Sequence, residues 1–395
     1  MVRPHVVIGA GIIGSTIARE LAFRGIETLV LEKEDEPGRH ASGRNSGVIH
    51  SGINHKPNSI KAKYCLEGSR RLREYCVNKR VPMKQCGTLV IARTDIEEER
   101  LMCVWQMGKE LGVPELSILE KRDIRRVEPV CTFSARRAIY SPTGAIVDSK
   151  ALLQSVIKDA QYMGAKFSFG ERVKNMVEGN VITDKRKIEY AYLVNCGGLE
   201  ADRLAHVRGI RRDLFIAPFK GSYWQIDGLH LKTMIYAPPN PKFPFLGIHL
   251  TPTTEGLSLA GPNAALAFGR ESYGSEVNIK DLAEMIGCKG FWKMARKRDF
   301  MQQAVQNLRT TFLKSAFLQE INGLTSEKID KRDVIPYRAG IRAQLVDSSG
   351  FLVNDIVVHH GERETHVLNA VSPGMTCSLA FAENIVDFIG KKNYS

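Results

Sequence analysis

Residues 4–34 read PHVVIGAGIIGSTIARELAFRGIETLVLEKE. The apolar run into Ile8 is that of a strand buried on both faces of a parallel sheet. A glycine turn follows, with Gly9, Gly11 and Gly14 at the spacing GxGxxG. Ile12, Ile13, Ile17, Ala18 and Leu21 then recur at the spacing of a helix laid on that sheet, and a second strand, Thr28 to Leu31, ends at Glu32. The three glycines act differently. The first permits the tight turn, the second admits a pyrophosphate to the backbone, and the third lets helix and strand pack closely. The helix N-terminus faces the phosphates, and Glu32 accepts hydrogen bonds from ribose hydroxyls. Strand, turn, helix, strand and terminal acid in register predict a Rossmann-type dinucleotide-binding unit. Its expected contacts are Gly9, Gly11, Ile12, Ile13, Gly14, Glu32 and Lys33.

NAD and FAD share this fingerprint, so the rest of the chain must discriminate between them. Seven residues beyond Glu32 begins RHASGRNSGVIHSGI, residues 39–53. Small residues there let the backbone lie along an extended ligand, while Ser42, Arg44, Asn45 and Ser46, with Gly43 among them, offer donors to phosphate and ring oxygens. That suits FAD, whose isoalloxazine is carried far from its adenine. Residues 186–205, RKIEYAYLVNCGGLEADRLA, run an apolar strand (Tyr192 to Val194) into Gly197-Gly198 and a helix. Residues 369–390, NAVSPGMTCSLAFAENIVDFIG, place Gly374, Met375 and Thr376 at the start of an amphipathic helix. Its free amides and positive dipole end would stabilise negative charge on a reduced flavin. Val173 and Gly340 complete the expected cofactor set. No second complete GxGxxG is present, so electrons are expected from the substrate rather than from NADPH.

Further stretches carry a resemblance: GRNSGVIHSGINHKPNSIKAK (43–63), MKQCGTLVIA (83–92), SPTGAIVD (141–148), PFKGSYW (218–224), FPFLGIHLTP (243–252), LAGPNAALAF (259–268) and AGIRAQLVD (339–347). Over nearly its whole length the chain resembles the flavin-dependent family that includes D-amino-acid oxidase and glycerol-3-phosphate dehydrogenase. Within that family it is most similar to the L-2-hydroxyglutarate dehydrogenase branch. It departs from the pattern at Lys220, where arginine is frequent, and at SPGMTCSLA, which replaces a more Ala/Ser-rich segment. The resemblance implies FAD and oxidation of L-2-hydroxyglutarate, or a close 2-hydroxy acid, to the 2-oxo acid by hydride transfer to flavin N5. Quinone or an electron-transfer protein would accept the electrons, with oxygen as another acceptor.

Resemblance and pattern together imply an α/β fold, α+β overall. A discontinuous Rossmann-type FAD-binding domain (1–80, 145–215 and 335–395) is joined by a mixed or antiparallel-sheet substrate domain (81–144 and 216–334). Helices are expected over 58–80 with an asparagine cap, over 97–111 ending at Gly112, and from a Ser149 cap to Met163. Strand character is expected over 216–226 and 245–260.

Removing the hydroxyl proton of a 2-hydroxy acid needs a base within hydrogen-bond reach, and histidine suits neutral pH. His50, after the flavin-hugging turn, is the first candidate and His249 the second. Arg342 matches the arginine that grips a substrate carboxylate in amino-acid-oxidising relatives, and its planar fork suits bidentate binding. Lys220, Tyr223, Asn263 and Arg270 are candidates for the distal carboxylate. Lys220 and Tyr223 stand three apart, which puts them on opposite faces of a strand unless a bulge intervenes. No metal site is expected.

The 395 residues, 43% apolar and 25% charged, are ordinary for a globular enzyme and exclude a disordered chain. The net charge of +13 fits an anionic cofactor, a dicarboxylate, an anionic membrane, a nucleic acid or simply a soluble basic surface. It motivates an RNA-binding flavoprotein as a reading of another class, but no aromatic-plus-basic single-strand motif supports a nucleic-acid partner. An amine or amino-acid oxidase of the same superfamily is the nearer rival. Eight cysteines without CxxC or metal spacing indicate reduced thiols in a cytosol-like compartment. A strand beginning by His5 leaves no room for a signal peptide, so a cytoplasmic enzyme is expected, or a mitochondrial one if a presequence was removed. No run of 18 apolar residues is present. KGFWKMARKRDF (289–300) reads as a basic, aromatic helix suited either to packing on its own domain or to peripheral contact with an anionic bilayer.

Overall fold

A computed structural model of the chain describes residues 3–240 and 247–393. The opening motif folds as the strand His5–Ile8, the helix Ile12–Phe23 and the strand Thr28–Leu31. Gly9 has φ +98°, and a Cβ there would lie 2.5 Å from the Cys196 carbonyl oxygen. A Cβ on Gly14 would come within 2.0 Å of the Gly9 carbonyl oxygen. Only glycines permit this turn, for backbone conformation at the first position and close approach at the second.

A six-stranded sheet is centred on this unit, in the order Val358–His360, Glu364–Val367, Tyr192–Asn195, His5–Ile8, Thr28–Leu31 and Lys166–Ser168. All its pairings are parallel except that of the two carboxy-terminal strands. Val6, Val7, Leu193 and Val194 are inaccessible to solvent, as strands covered on both faces require. The helix Gly374–Asn393 packs on Ile12–Phe23 and on the helix Ile60–Lys79, with Phe381, Ile385 and Ile389 meeting Ile17 and Leu21 in one core. Burial of each such side chain contributes about 1.5–3 kcal/mol.

The second sheet has nine strands and is largely antiparallel. Its spine is a long ladder between Leu214–Ile226 and Val334–Asp347, pairing Phe219 with Arg342 and Gly221 with Gly340. A register shift between Ser222 and Trp224 sets Tyr337 and Arg338 against the single residue Tyr223, a bulge in the Val334–Asp347 strand. Residues 335–347, expected among the cofactor-binding segments, therefore belong by pairing to this larger sheet. The strand character expected over 245–260 is carried by two strands, His249–Pro252 and Ser258–Gly261, with a turn between them. Positions 245–246, and with them 243–246 of FPFLGIHLTP, lie outside the described residues.

Several helix ends differ from expectation for local reasons. Ser59, not Asn58, caps Ile60–Lys79, its hydroxyl accepting from the Ala62 amide at 3.1 Å, while Asn58 adopts φ +67°. Asp148, not Ser149, caps Ser149–Tyr162, because its carboxylate reaches the amides of Lys150 and Ala151. The helix expected from 97 starts at Asp95 behind a Thr94 cap and ends at Glu110. The basic aromatic stretch is two helices, Lys289–Ala295 and Arg298–Phe312, broken at Arg296-Lys297.

Candidate active site

One cleft of about 1210 Å³ runs from the glycine turn to the inner face of the large sheet. Gly9, Gly11, Ile12, Ile13, Gly14, Glu32, Lys33, Ser42, Val173, Gly197 and Gly198 line the part at the glycine turn, and Arg44, Asn45 and Ser46 carry the lining on toward Gly340 and Tyr223. His50, Tyr223, His249, Asn263, Gly340, Arg342, Gly374, Met375 and Thr376 line the other end. Three of the expected site residues lie elsewhere. Gly43 is a packing position, where a Cβ would sit 2.1 Å from the Gly38 carbonyl oxygen. Lys220 is on the opposite strand face from Phe219, Gly221 and Tyr223, and its ammonium donates to the Gly274 carbonyl. Arg270 is buried and committed to Asp202, which its Nη2 reaches at 2.9 Å, and to the Leu199 carbonyl.

The loop 39–47 spends much of its polarity on its own shape. Arg44 donates to the Arg39 and Ala339 carbonyls and stacks 3.9 Å from the Tyr273 ring centre. Asn45 bonds the carbonyls of Ala41 and Ser42 and the amide of Gly47. Ser42 Oγ accepts from the Ile12 amide at 2.9 Å, fastening the loop to the helix N-terminus. Lys33 pairs with Glu271 and Glu34, and His40 lies 2.9 Å from Glu34 and 2.7 Å from the Tyr273 hydroxyl. These ties hold the loop against the turn that carries Glu271 and Tyr273. The donors expected from Arg44 and Asn45 are thus largely structural.

What remains at this end fits a pyrophosphate-bearing dinucleotide. The helix N-terminus opens on the cleft with no acidic residue in its first turn. Glu32 is fixed by the amides of Ala10 (2.8 Å) and Glu34 (3.0 Å), and its carboxylate retains lone pairs for ribose hydroxyls. The close Gly9–Gly14 turn presents bare backbone where phosphate must approach.

The other end is built from segments far apart in sequence. Thr376 Oγ1 accepts from the His50 amide at 3.1 Å, and Ser372 Oγ lies 3.2 Å from His50 Nε2. These contacts fix His50 from the carboxy-terminal segment. His249 comes from the large sheet, its ring 5.6 Å from that of Tyr236, whose hydroxyl accepts from Asn54 at 2.6 Å. Burial, reinforced by nearby positive charge, lowers the pKa of His50 and of His249 to about 4. A weaker backbone contact to Gly247 acts in the opposite direction on His249. Both rings are therefore neutral at pH 7 and able to take a proton. Burial also lowers Arg342, while Tyr223 pulls it up; burial raises Tyr223 itself.

Three further cleft residues were not expected from the sequence. The His55 ring is centred 6.5 Å from that of His50, and its pKa is lowered to about 3, chiefly by burial. Lys61 is lowered to about 8 by burial and then by Arg342. Tyr236 joins them from the strand Met234–Tyr236. His55 and Lys61 stand inside GRNSGVIHSGINHKPNSIKAK, so the signal for them was the density of polar residues after His50. His249 Nδ1, His55 Nε2 and Asn54 Oδ1 are buried and, among the described residues, have no hydrogen-bond partner. Orphaned polar atoms converging on a cleft call for a polar ligand.

Residues 5–388 match the family model described as FAD dependent oxidoreductase. L-2-hydroxyglutarate dehydrogenase of Indibacter alkaliphilus is 34% identical, the match covering 98% of each chain. The mitochondrial L-2-hydroxyglutarate dehydrogenase of Homo sapiens is 36% identical over 98% of this chain and 88% of its own. Among solved structures, L-alpha-glycerophosphate oxidase from Mycoplasma pneumoniae with FAD bound shares the fold with a TM-score of 0.77. It is 20% identical, over 99% of this chain and 95% of its own.

Proposed function

Since the chain belongs to the FAD-dependent oxidoreductase family, we propose that it oxidises L-2-hydroxyglutarate to 2-oxoglutarate. Bound FAD supplies the acceptor for the hydride that leaves the carbinol carbon. The chain's own residues supply the rest. His50, neutral and held by Thr376 and Ser372, takes the hydroxyl proton. His249, opposite it on the large sheet, orients the hydroxyl. Arg342 holds the carboxylate beside the carbinol carbon, and Tyr223, opposite the bulge at Tyr337 and Arg338, borders the same space. Asn263 shapes the wall: its Oδ1 accepts from the Ser222 amide and its Nδ2 donates to Thr311.

The observation that carries this reading is the union of two neutral imidazoles and a half-buried arginine in the cleft that also receives the glycine turn. The test is anaerobic bleaching of the flavin by a panel of 2-hydroxy acids and amino acids, including both stereoisomers of 2-hydroxyglutarate. Bleaching by the L isomer is expected; bleaching by an amino acid alone would overturn the assignment.

For the acceptor we propose a membrane quinone reached by peripheral contact. Among the described residues no helix is long and apolar enough to cross a membrane. The helix Arg298–Phe312 instead exposes Met301, Val305, Leu308 and Phe312, a stripe at helical spacing, with Trp292 exposed on the preceding helix. Lys289, Lys293, Arg298 and Arg309 are exposed around them, the composition of a helix lying in an anionic interface. Salt-sensitive flotation with phosphatidylglycerol vesicles but not with phosphatidylcholine vesicles is the expected result. No flotation with either would remove the membrane from the reading.

A further inference from the structure

One charged side chain in the cleft has no part in the reaction as described. Lys61 stands at the second position of the helix Ile60–Lys79, at the end that meets the cleft. A cation there opposes the positive end of the helix, and the first turn holds no acidic residue to offset it. Asp355, the nearest acid acting on Lys61, is already occupied: its carboxylate accepts from the backbone amides of Ile60 (2.8 Å), Lys61 (3.0 Å) and Ile356 (2.8 Å). Among the described residues, no carboxylate forms an ion pair with the Lys61 ammonium. Its other neighbours are Arg342, the thiols of Cys65 and Cys377, and the rings of His50 and His55. A half-buried ammonium placed against an arginine and a helix N-terminus is retained at a cost that an anion would offset.

Three other candidate cations are committed elsewhere. Lys220 is bonded to the Gly274 carbonyl, Arg270 to Asp202, and Arg203 to Glu200, Asp281 and Glu284. We propose that Lys61 is a specificity-determining residue that binds the distal carboxylate of a dicarboxylate substrate whose proximal carboxylate is held by Arg342. Asn54 and His55, with Oδ1 and Nε2 unpartnered, complete the polar lining on the same side. The inference rests on the proposed oxidation of a 2-hydroxy dicarboxylate for the identity of the substrate, but its binding test does not depend on turnover.

FAD-loaded native protein, Lys61→Met and Lys61→Arg would be titrated with glutarate, a dicarboxylate with no hydroxyl to oxidise, and with valerate, its monocarboxylate counterpart. Binding is read from the perturbed flavin absorption and from thermal stabilisation. Glutarate affinity should fall at least about tenfold in Lys61→Met, as expected for loss of a charged hydrogen bond. Valerate should be much less affected, and Lys61→Arg should retain most of the glutarate binding. In flavin reduction, the preference for L-2-hydroxyglutarate over L-2-hydroxyvalerate should collapse in the Met variant. Unchanged glutarate affinity, or equal loss of both acids, overturns the proposal.

A measurement on the native protein guards against a variant that fails to fold. Acylation of Lys61 by an amine reagent, followed by mass spectrometry, should be blocked by glutarate and not by valerate; equal protection by both, or by neither, overturns the assignment. If native protein binds glutarate through Lys61 yet no 2-hydroxy acid bleaches its flavin, the proposed oxidation fails while the carboxylate site stands.

Discussion

Two arginines stand in regions built on opposite electrostatic terms. Arg270 is enclosed with Asp202, whose carboxylate also accepts from the amides of Ile216 and Arg203. Arg203 gathers Glu200, Asp281 and Glu284 beside them. That region surrounds its two arginines with four carboxylates of its own, and the pairing holds the Asp202 carboxyl below its usual range against the opposing effect of burial. Arg342 lies instead beside Lys61, whose charge adds to its own, and the neutral rings of His50 and His249. A cation balanced by its own chain is architecture. A surplus of positive charge beside orphaned polar atoms is a binding site.

The largest expected effect lies in the region of paired charges. Asp202→Ala leaves a buried guanidinium and two amides uncompensated and should destabilise the fold by about 3–5 kcal/mol, read by chemical denaturation. A stability near that of the native protein would break the comparison. In the cleft, Arg342→Met should instead preserve bound FAD and melting temperature, while saturation by L-2-hydroxyglutarate weakens by about a hundredfold. Unchanged saturation would remove Arg342 from the substrate. His50→Asn should slow flavin reduction by about a hundredfold with the cofactor retained. Loss of FAD would show that His50 serves the cofactor.

Acid titration sharpens the same contrast. His50 and His249 are near 4 and His55 near 3 in the folded chain, against an ordinary value of about 6.5. Between these values the unfolded chain binds more protons, so stability present above about pH 6.5 should decline as pH falls toward 4. His50→Asn should shallow that decline, and the acid limb of flavin reduction should fall well below pH 6. A limb at 6.5 would mean that burial does not control the base. The smallest effect belongs to helix capping: Ser59→Ala should cost about 1 kcal/mol by denaturation and leave Asp355 to hold the same helix end.

The cofactor end was largely legible because its information is contiguous. Gly9, Gly11, Gly14 and Glu32 act through backbone geometry within one strand-turn-helix-strand unit, so their spacing carried the chemistry. Arg44 and Asn45 were harder: their donors suit phosphate, but nearby carbonyls reach them first. The substrate end was legible in part. His50, His249, Tyr223, Asn263 and Arg342 line the cleft, but Lys220 and Arg270 do not. Residue type and neighbourhood could not distinguish Arg270 from Arg342.

By itself the sequence determined the dinucleotide-binding unit, the flavin family and the residue types a hydroxy-acid oxidation requires, because hydrophobic period and glycine spacing act over a few residues. Only the tertiary structure decided which cations are spent and which face the cleft. The partner of Arg270 lies 68 residues away, and strand pleat turns Lys220 outward while Tyr223 faces in. Lys61 faces the cleft from a helix end, a property of packing between segments that no local pattern records.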